Sequence, residues 1–161
     1  MRQVFESDNI RFVQLDESLV QDYLAMVNDV ENVGRLIGST RTFTEEEETE
    51  WIRRKLENNF RIFSMIDKAT GEFIGNIEIM DVEGDAASGE LGICITAKQQ
   101  DRGFGSEAIP AMVKYAAKEY GLKRLMLRVF PFNDRAVHVY EKCGFKEYDR
   151  APDDVFMEII L

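Results

Sequence analysis

Thiol and imidazole chemistry is nearly absent from this chain. Its 161 residues include two cysteines, Cys94 and Cys143, and one histidine, His138. The cysteines form no CxxC pair, and a domain of this size needs no disulfide staple. A single histidine excludes a multi-histidine metal centre, and no metal is expected. Any Ser-His-Asp or Cys-His triad would have to use His138, and the flanking Val137 and Val139 give no hint of one. No apolar run approaches the ~18–20 residues of a membrane span. The stretch Met1-Arg2-Gln3-Val4-Phe5-Glu6-Ser7-Asp8 lacks the apolar region of a signal peptide, so a cytoplasmic location is expected. A Walker A sequence is missing, and no repeat, low-complexity tract or Pro/Gly/Ser linker divides the chain. One domain over residues 1–161 is the expectation.

What is present suits a folded domain. Hydrophobic residues make up 45% and charged residues 31%, enough to bury a core and too apolar for disorder. Lys plus Arg is 20 against 30 for Asp plus Glu, a net charge of −10. Such a surface repels phosphate backbones, which argues against a nucleic-acid partner and favours cationic ones.

Periodicity orders the elements. Ile10 to Leu15 alternates as a strand. Asp16 can cap a helix whose Val20, Tyr23, Leu24 and Val27 fall at i, i+3, i+4 and i+7. A loop through Gly34 and Gly38 follows. Thr44 and Glu47 have the spacing of a capping box, with Glu45 to Glu48 in a solvated first turn and Trp51, Ile52 and Leu56 on the buried side. Arg61 to Ile66, Phe73 to Val82 and Glu90 to Thr96 read as three hairpin-connected strands. A polar loop, Ala97 to Arg102, opens the strongest helix, with Ile109, Met112, Val113, Ala116 and Tyr120 on its apolar face and Gly121 at its end. Leu122 to Phe130 is a strand stopped by Pro131. Asn133 caps a helix bearing Ala136, Val139, Tyr140 and Cys143 on one face and closed by Gly144. Two strands, Phe145 to Tyr148 and Val155 to Leu161, end the chain. The order β-α-α-β-β-β-α-β-α-β-β predicts an α+β (mixed α/β) fold: about seven strands, mostly antiparallel, flanked by four helices.

One segment carries chemistry. Gln100-Asp101-Arg102-Gly103-Phe104-Gly105-Ser106 joins a strand to a helix, so its N–H groups sit at a helix N-terminus and can hold an anion. Gly103 and Gly105 let a bulky diphosphate approach the main chain, and Arg102 could add positive charge. An ordinary glycine-rich helix entry would look the same. Gly103 to Ala108 also satisfies GxGxxA, but a polar loop separates Ile95 from Gly103 and the preceding strands read as hairpins. A dinucleotide site of the βαβ type is therefore disfavoured.

Gln100-x-x-Gly103-x-Gly105 after an apolar strand resembles the acetyl-CoA motif of the GNAT acetyltransferases. Asn133-x-x-Ala136-x-x-x-Tyr140-x-x-Cys143-Gly144-Phe145 is similar to the second signature of that superfamily, and Glu90-Leu91-Gly92-Ile93 resembles the branch with ribosomal-protein alanine and spermidine acetyltransferases. The strand order matches across nearly the whole chain. Two departures are Pro110, which removes an N–H inside the motif helix, and Asp101, where glycine is common. The resemblance implies acetyl-CoA as acetyl donor, its diphosphate on Gln100, Asp101, Arg102, Gly103, Phe104, Gly105 and Ser106. It implies pantetheine along the main chain of Ile93, Cys94 and Ile95, and a contact from Asn133, which capping its own helix explains equally well.

The resemblance also implies catalytic roles. Tyr140 would be the general acid at the coenzyme sulfur, with a core tyrosine as the bland alternative. Glu90 is the preferred base, and Glu78 and Asp81 are rivals; each could instead be a solvated or salt-bridged carboxylate. Cys94 reads as a small buried hydrophobe rather than a nucleophile, and His138 as outward-facing. The implied activity is N-acetyl transfer to a primary amine, a small cationic amine or a protein N-terminus, by direct attack in a ternary complex. Acceptor contacts should come from Asn28 to Thr44. A non-catalytic acyl-CoA sensor on the same fold is the alternative. Exposed strand edges and the C-terminal hairpin could support a homodimer.

Overall fold

A computed structural model describes residues 1–58, 61–85 and 87–161. It contains one mixed sheet of eight strands in the order β1-β2-β3-β4-β5-β6-β8-β7. The strands are β1 (Gln3–Glu6), β2 (Ile10–Gln14), β3 (Arg61–Asp67), β4 (Phe73–Glu83), β5 (Ser88–Ile95), β6 (Arg124–Val129), β7 (Lys146–Arg150) and β8 (Val155–Ile160). The helices are α1 (Val20–Val27), α2 (Arg35–Ile37), α3 (Glu45–Glu57), α4 (Phe104–Tyr120) and α5 (Asp134–Lys142). The chain divides into two compact units, Met1–Glu78 with Ile93–Phe104 and Ile79–Gly92 with Gly105–Leu161, so β4 and β5 contribute to both.

In the first unit an eighth strand, β1, adds to the about seven expected. It pairs antiparallel with β2, placing Phe5 opposite Phe12. The two rings stack at 4.2 Å, and Phe5 meets the edge of Phe63 at 5.3 Å, a cross-strand aromatic cluster that stabilises so short a strand. Asp16 accepts from the Ser18 N–H at 2.8 Å and caps a 3-10 turn, Glu17–Leu19, that feeds α1. α1 buries Tyr23 and Met26 in a core with Leu15, Val33, Ile52, Ile62 and Ile66.

The expected loop through Gly34 and Gly38 is helical instead. Both the Val33 and Gly34 N–H groups donate to the Asp29 carbonyl, at 2.8 and 2.9 Å, forming a π-helical turn over Val30–Gly34. α2 continues it and stops at Gly38, whose φ is 77°. That turn is a fifth helical site beyond the four expected. At α3 the capping box forms in both directions: Glu47 N–H to Thr44 Oγ1 at 3.1 Å and Thr44 N–H to Glu47 Oε1 at 3.2 Å. Leu56, expected inside, is 39% exposed, while Glu48 turns inward to 5% exposure. Burial, with Glu47 beside it, pushes the Glu48 carboxyl up.

In the second unit β5 runs parallel to β6, with Glu90 opposite Met126, and β8 lies antiparallel between β6 and β7. α4 buries Ile109, Met112 and Ala116 of the expected stripe, with Ala108 beside them, while Val113 and Tyr120 are half-buried. Asn133 caps α5 by accepting from the Ala136 N–H at 3.2 Å.

Tyr23 and Ser64 share a 2.7 Å hydrogen bond with both residues fully buried. Tyr23→Phe leaves the Ser64 hydroxyl without that partner and should cost about 1–3 kcal/mol in urea denaturation. A midpoint equal to wild type would mean that water replaces the phenol.

Candidate functional site

The first unit holds the end of β5 and the turn that follows it. Ile93, Cys94 and Ile95 are half-buried there. A Cβ on Gly75 of β4 would lie 1.9 Å from the Cys94 carbonyl oxygen, so only glycine lets the two backbones approach this closely. The Cys94 thiol is pushed up to about 12 by burial, which keeps it protonated and unreactive near neutral pH.

Beyond Ile95 a 3-10 turn, Ala97–Gln99, leads to the motif. Gln100 faces protein: its Nε2 donates to the carbonyls of Ile95 at 3.0 Å and Asn32 at 3.1 Å. Asp101 and Gly103 then both adopt left-handed backbone, with φ of 61° and 83°. At Gly103 that conformation suits glycine, and at Asp101 it explains why glycine would also fit. Arg102, exposed between them, donates from Nη1 to Gln99 Oε1 at 2.5 Å and lies 5.3 Å from the Phe104 ring. Phe104 is buried and anchors the start of α4.

The residue before α4 is Gly103, which has no side-chain oxygen to offer. α3 and α5 are capped by Thr44 and Asn133, whereas the first N–H groups of α4, on Phe104, Gly105 and Ser106, have no acceptor within the helix. A Cβ built on Gly103 meets nothing within 4 Å. This open, donor-rich helix start fits an oxyanion.

In the second unit Cys143 meets the first turn of α4. Ser106 O would ordinarily accept from residue 110, but Pro110 has no N–H. The Cys143 thiol donates to that carbonyl instead, at 4.0 Å, and ties α5 to the first turn of α4. Tyr140 precedes Cys143 by one helical turn, half-buried, with its ring 6.0 Å from Phe145. Its carbonyl accepts from the N–H groups of Cys143 and Phe145 at 3.1 and 3.0 Å, closing the helix. His138 is exposed.

Each candidate base has a definite environment. Glu90 accepts from Arg128 Nε at 2.8 Å, with 16% of the Glu90 side chain exposed. In the first unit Glu78 pairs with Lys55 at 2.9 Å, both largely buried. Asp81 is exposed, in left-handed backbone with φ 49°. Sequence reasoning missed Gln99, Lys55 and Arg128; in sequence they look like ordinary polar surface, because their partners lie far along the chain or face inward. Among the described residues, no group of three or more His, Cys, Asp or Glu side chains is placed to hold a metal ion.

Residues 9–146 match the acetyltransferase (GNAT) domain family. The chain belongs to that family. It is 27% identical over 112 residues to spermidine N(1)-acetyltransferase of Vibrio cholerae, covering 70% of this chain and 65% of that relative. The match thus spans less than two thirds of the relative's length. In three dimensions the chain resembles spermidine N-acetyltransferase from Vibrio cholerae crystallised with CoA and spermine, with TM-score 0.86 and 23% identity over 96% of each chain. It also resembles a GNAT acetyltransferase from Bacillus anthracis, with TM-score 0.85 and 21% identity over 96% of each. At these identities the likeness is one of fold.

The Pro110–Ser106–Cys143 arrangement makes a testable claim. Cys143→Ala should destabilise the protein by about 1 kcal/mol, because the carbonyl freed by Pro110 loses its donor. In a Pro110→Ala background, where the helix supplies its own N–H, the same change should cost markedly less. Equal losses in both backgrounds, measured by denaturant titration, would show that the contact carries no energy.

Proposed function

We propose that this protein is an acetyl-CoA-dependent N-acetyltransferase that acylates a primary amine by direct attack in a ternary complex. The observation that carries the reading is the left-handed turn at Asp101 and Gly103, which leads into the first N–H groups of α4 through a glycine that has no side chain to cover them. Together with family membership over residues 9–146, it makes the acetyl-CoA diphosphate the fitting anion. Gly103, Phe104, Gly105 and Ser106 would donate to the diphosphate, with Arg102 adding charge, while Gln100 and Asp101 shape the turn. The main chain of Ile93, Cys94 and Ile95 would hold the pantetheine, and Asn133 would reach the coenzyme while capping α5.

The coenzyme supplies an activated acetyl thioester, so the protein's task is positioning and proton transfer. A primary amine with pKa ~10.4 is mostly ammonium at neutral pH, and freeing its lone pair costs about 4 kcal/mol. Glu90 is the proposed base, acting directly or through a water, with Arg128 fixing its carboxylate through Oε1. Tyr140 is the proposed acid, donating its phenolic proton to the departing sulfur. Cys94, held protonated by burial, takes no covalent part.

The acceptor class follows from charge. A chain carrying −10 draws cationic amines, and the spermidine acetyltransferase relative makes a polyamine the first to try, with N-terminal peptides next. A second reading, a coenzyme-binding sensor without turnover, is favoured by one feature. Glu78 and Glu90, two of the three candidate bases, already pair with cations.

Calorimetric titration with acetyl-CoA, with NADH as control, should give micromolar affinity for the first and none for the second. An absence of acetyl-CoA binding would remove the enzyme reading. Tyr140→Phe should lower kcat by roughly 100-fold and leave acetyl-CoA affinity within about twofold. A sensor would be indifferent to that change. Glu90→Gln should lower kcat by roughly 100-fold; if the rate is unmoved, Glu78 takes the role.

A further inference from the structure

We propose that Gln99 is a positioning residue for the coenzyme diphosphate, acting through Arg102. The inference rests on the acetyl-CoA reading and adds a residue that the motif does not contain. Gln99 lies outside Gln100-x-x-Gly103-x-Gly105, yet its side chain is 1% exposed. A buried amide keeps its place only when its polar atoms are bonded. Here Nε2 donates to Glu72 Oε2 at 3.3 Å and to the Phe73 carbonyl at 3.5 Å, and Oε1 accepts from Arg102 Nη1 at 2.5 Å. Glu72 is in turn paired with Lys98 at 2.7 Å, which holds its carboxyl below the usual range.

Charge makes this arrangement more than scaffolding. Lys98 offsets Glu72, and the group that grips Arg102 is a neutral amide. Gln99 therefore orients the guanidinium through a neutral group, while the Glu72 carboxylate lies within electrostatic reach of Arg102. One of the five guanidinium N–H groups is committed to Gln99, and the exposed remainder is left to an oxyanion. In a chain of net charge −10, an arginine held by a carboxylate would contribute no such field. Arg102 also sits between the two left-handed residues, Asp101 and Gly103, so fixing its side chain helps to fix the turn.

Three substitutions, each checked for native circular dichroism, separate these effects. Gln99→Leu keeps the volume but drops the grip. Gln99→Glu sets a carboxylate against Arg102 and also against Glu72 and the Phe73 carbonyl, so it loses both the neutral partner and the amide's two donor contacts. Arg102→Ala, at an exposed position, reproduces the loss if the buried variants fold poorly. Each should raise the acetyl-CoA Kd by about tenfold in calorimetry. Kinetics with S-acetylpantetheine, a donor without the diphosphate, should change less than about twofold for all three. Gln99→Leu should add nothing to Arg102→Ala.

An unchanged Kd, an equal loss with the truncated donor, or additive effects would each overturn the proposal while leaving the acetyltransferase reading intact. Wild-type protein that binds no acetyl-CoA would overturn both.

Discussion

Helix α4 is preceded by a glycine, and a helix start whose preceding residue has no side chain is a constraint that the surrounding chain must meet. The first N–H groups of a helix need acceptors, and a side-chain cap is the usual source, as Thr44 and Asn133 provide for α3 and α5. Gly103 cannot provide one. The turn before it is therefore held by other means: Gln100 is bonded to the carbonyls of Ile95 and Asn32, and Arg102 is bonded to Gln99. Left-handed backbone at Asp101 is unfavourable for a residue with a Cβ, and it persists because its neighbours on both sides are tied down.

A second constraint sits one turn further along α4. Proline at position 110 removes the N–H that Ser106 O would accept, and in an isolated helix that carbonyl would turn to water. The thiol of Cys143 meets it from α5. A sulfur donor is a weak one, but the alternative is a carbonyl with one partner fewer, and the penalty for that exceeds the worth of an average bond. The consequence is geometric. The helix that bears Tyr140 is registered against the first turn of α4 by a contact that only this combination of proline and cysteine requires.

Much of the fold was legible because its signals are local. The Thr44/Glu47 capping box, the stripe on α4 and the Asn133 cap each depend on spacings within one element, and each stands as read. What was not legible depends on partners distant in sequence. β1 has four residues and is held by Phe5 against Phe12 and Phe63, a cluster that exists only once three strands are assembled. The π-helical turn after α1 depends on one carbonyl, at Asp29, accepting two N–H groups, which leaves no periodic mark. Leu56 was misplaced because the α3 stripe ends a turn earlier than its hydrophobicity suggests. At the site, the motif residues were readable by spacing, whereas Gln99 was not: a glutamine in a polar loop gives no sign that it will be buried.

The charge of the chain and the chemistry of its site are then one problem. With 30 acidic residues against 20 basic ones, several cations are drawn into pairs: Lys55 to Glu78, Lys98 to Glu72, Arg128 to Glu90, Arg124 to Glu158. The exposed ones among them contribute little stability, but each pair removes a cation from the pool that could face an anionic ligand. Arg102 differs in that its hydrogen-bond partner is an amide, although the Glu72 carboxylate lies close enough for the two charges to interact. A carboxylate in place of that amide would face Glu72 as well as Arg102. In the proposed reading, position 99 is therefore where this acidic protein sets an arginine toward a negatively charged coenzyme.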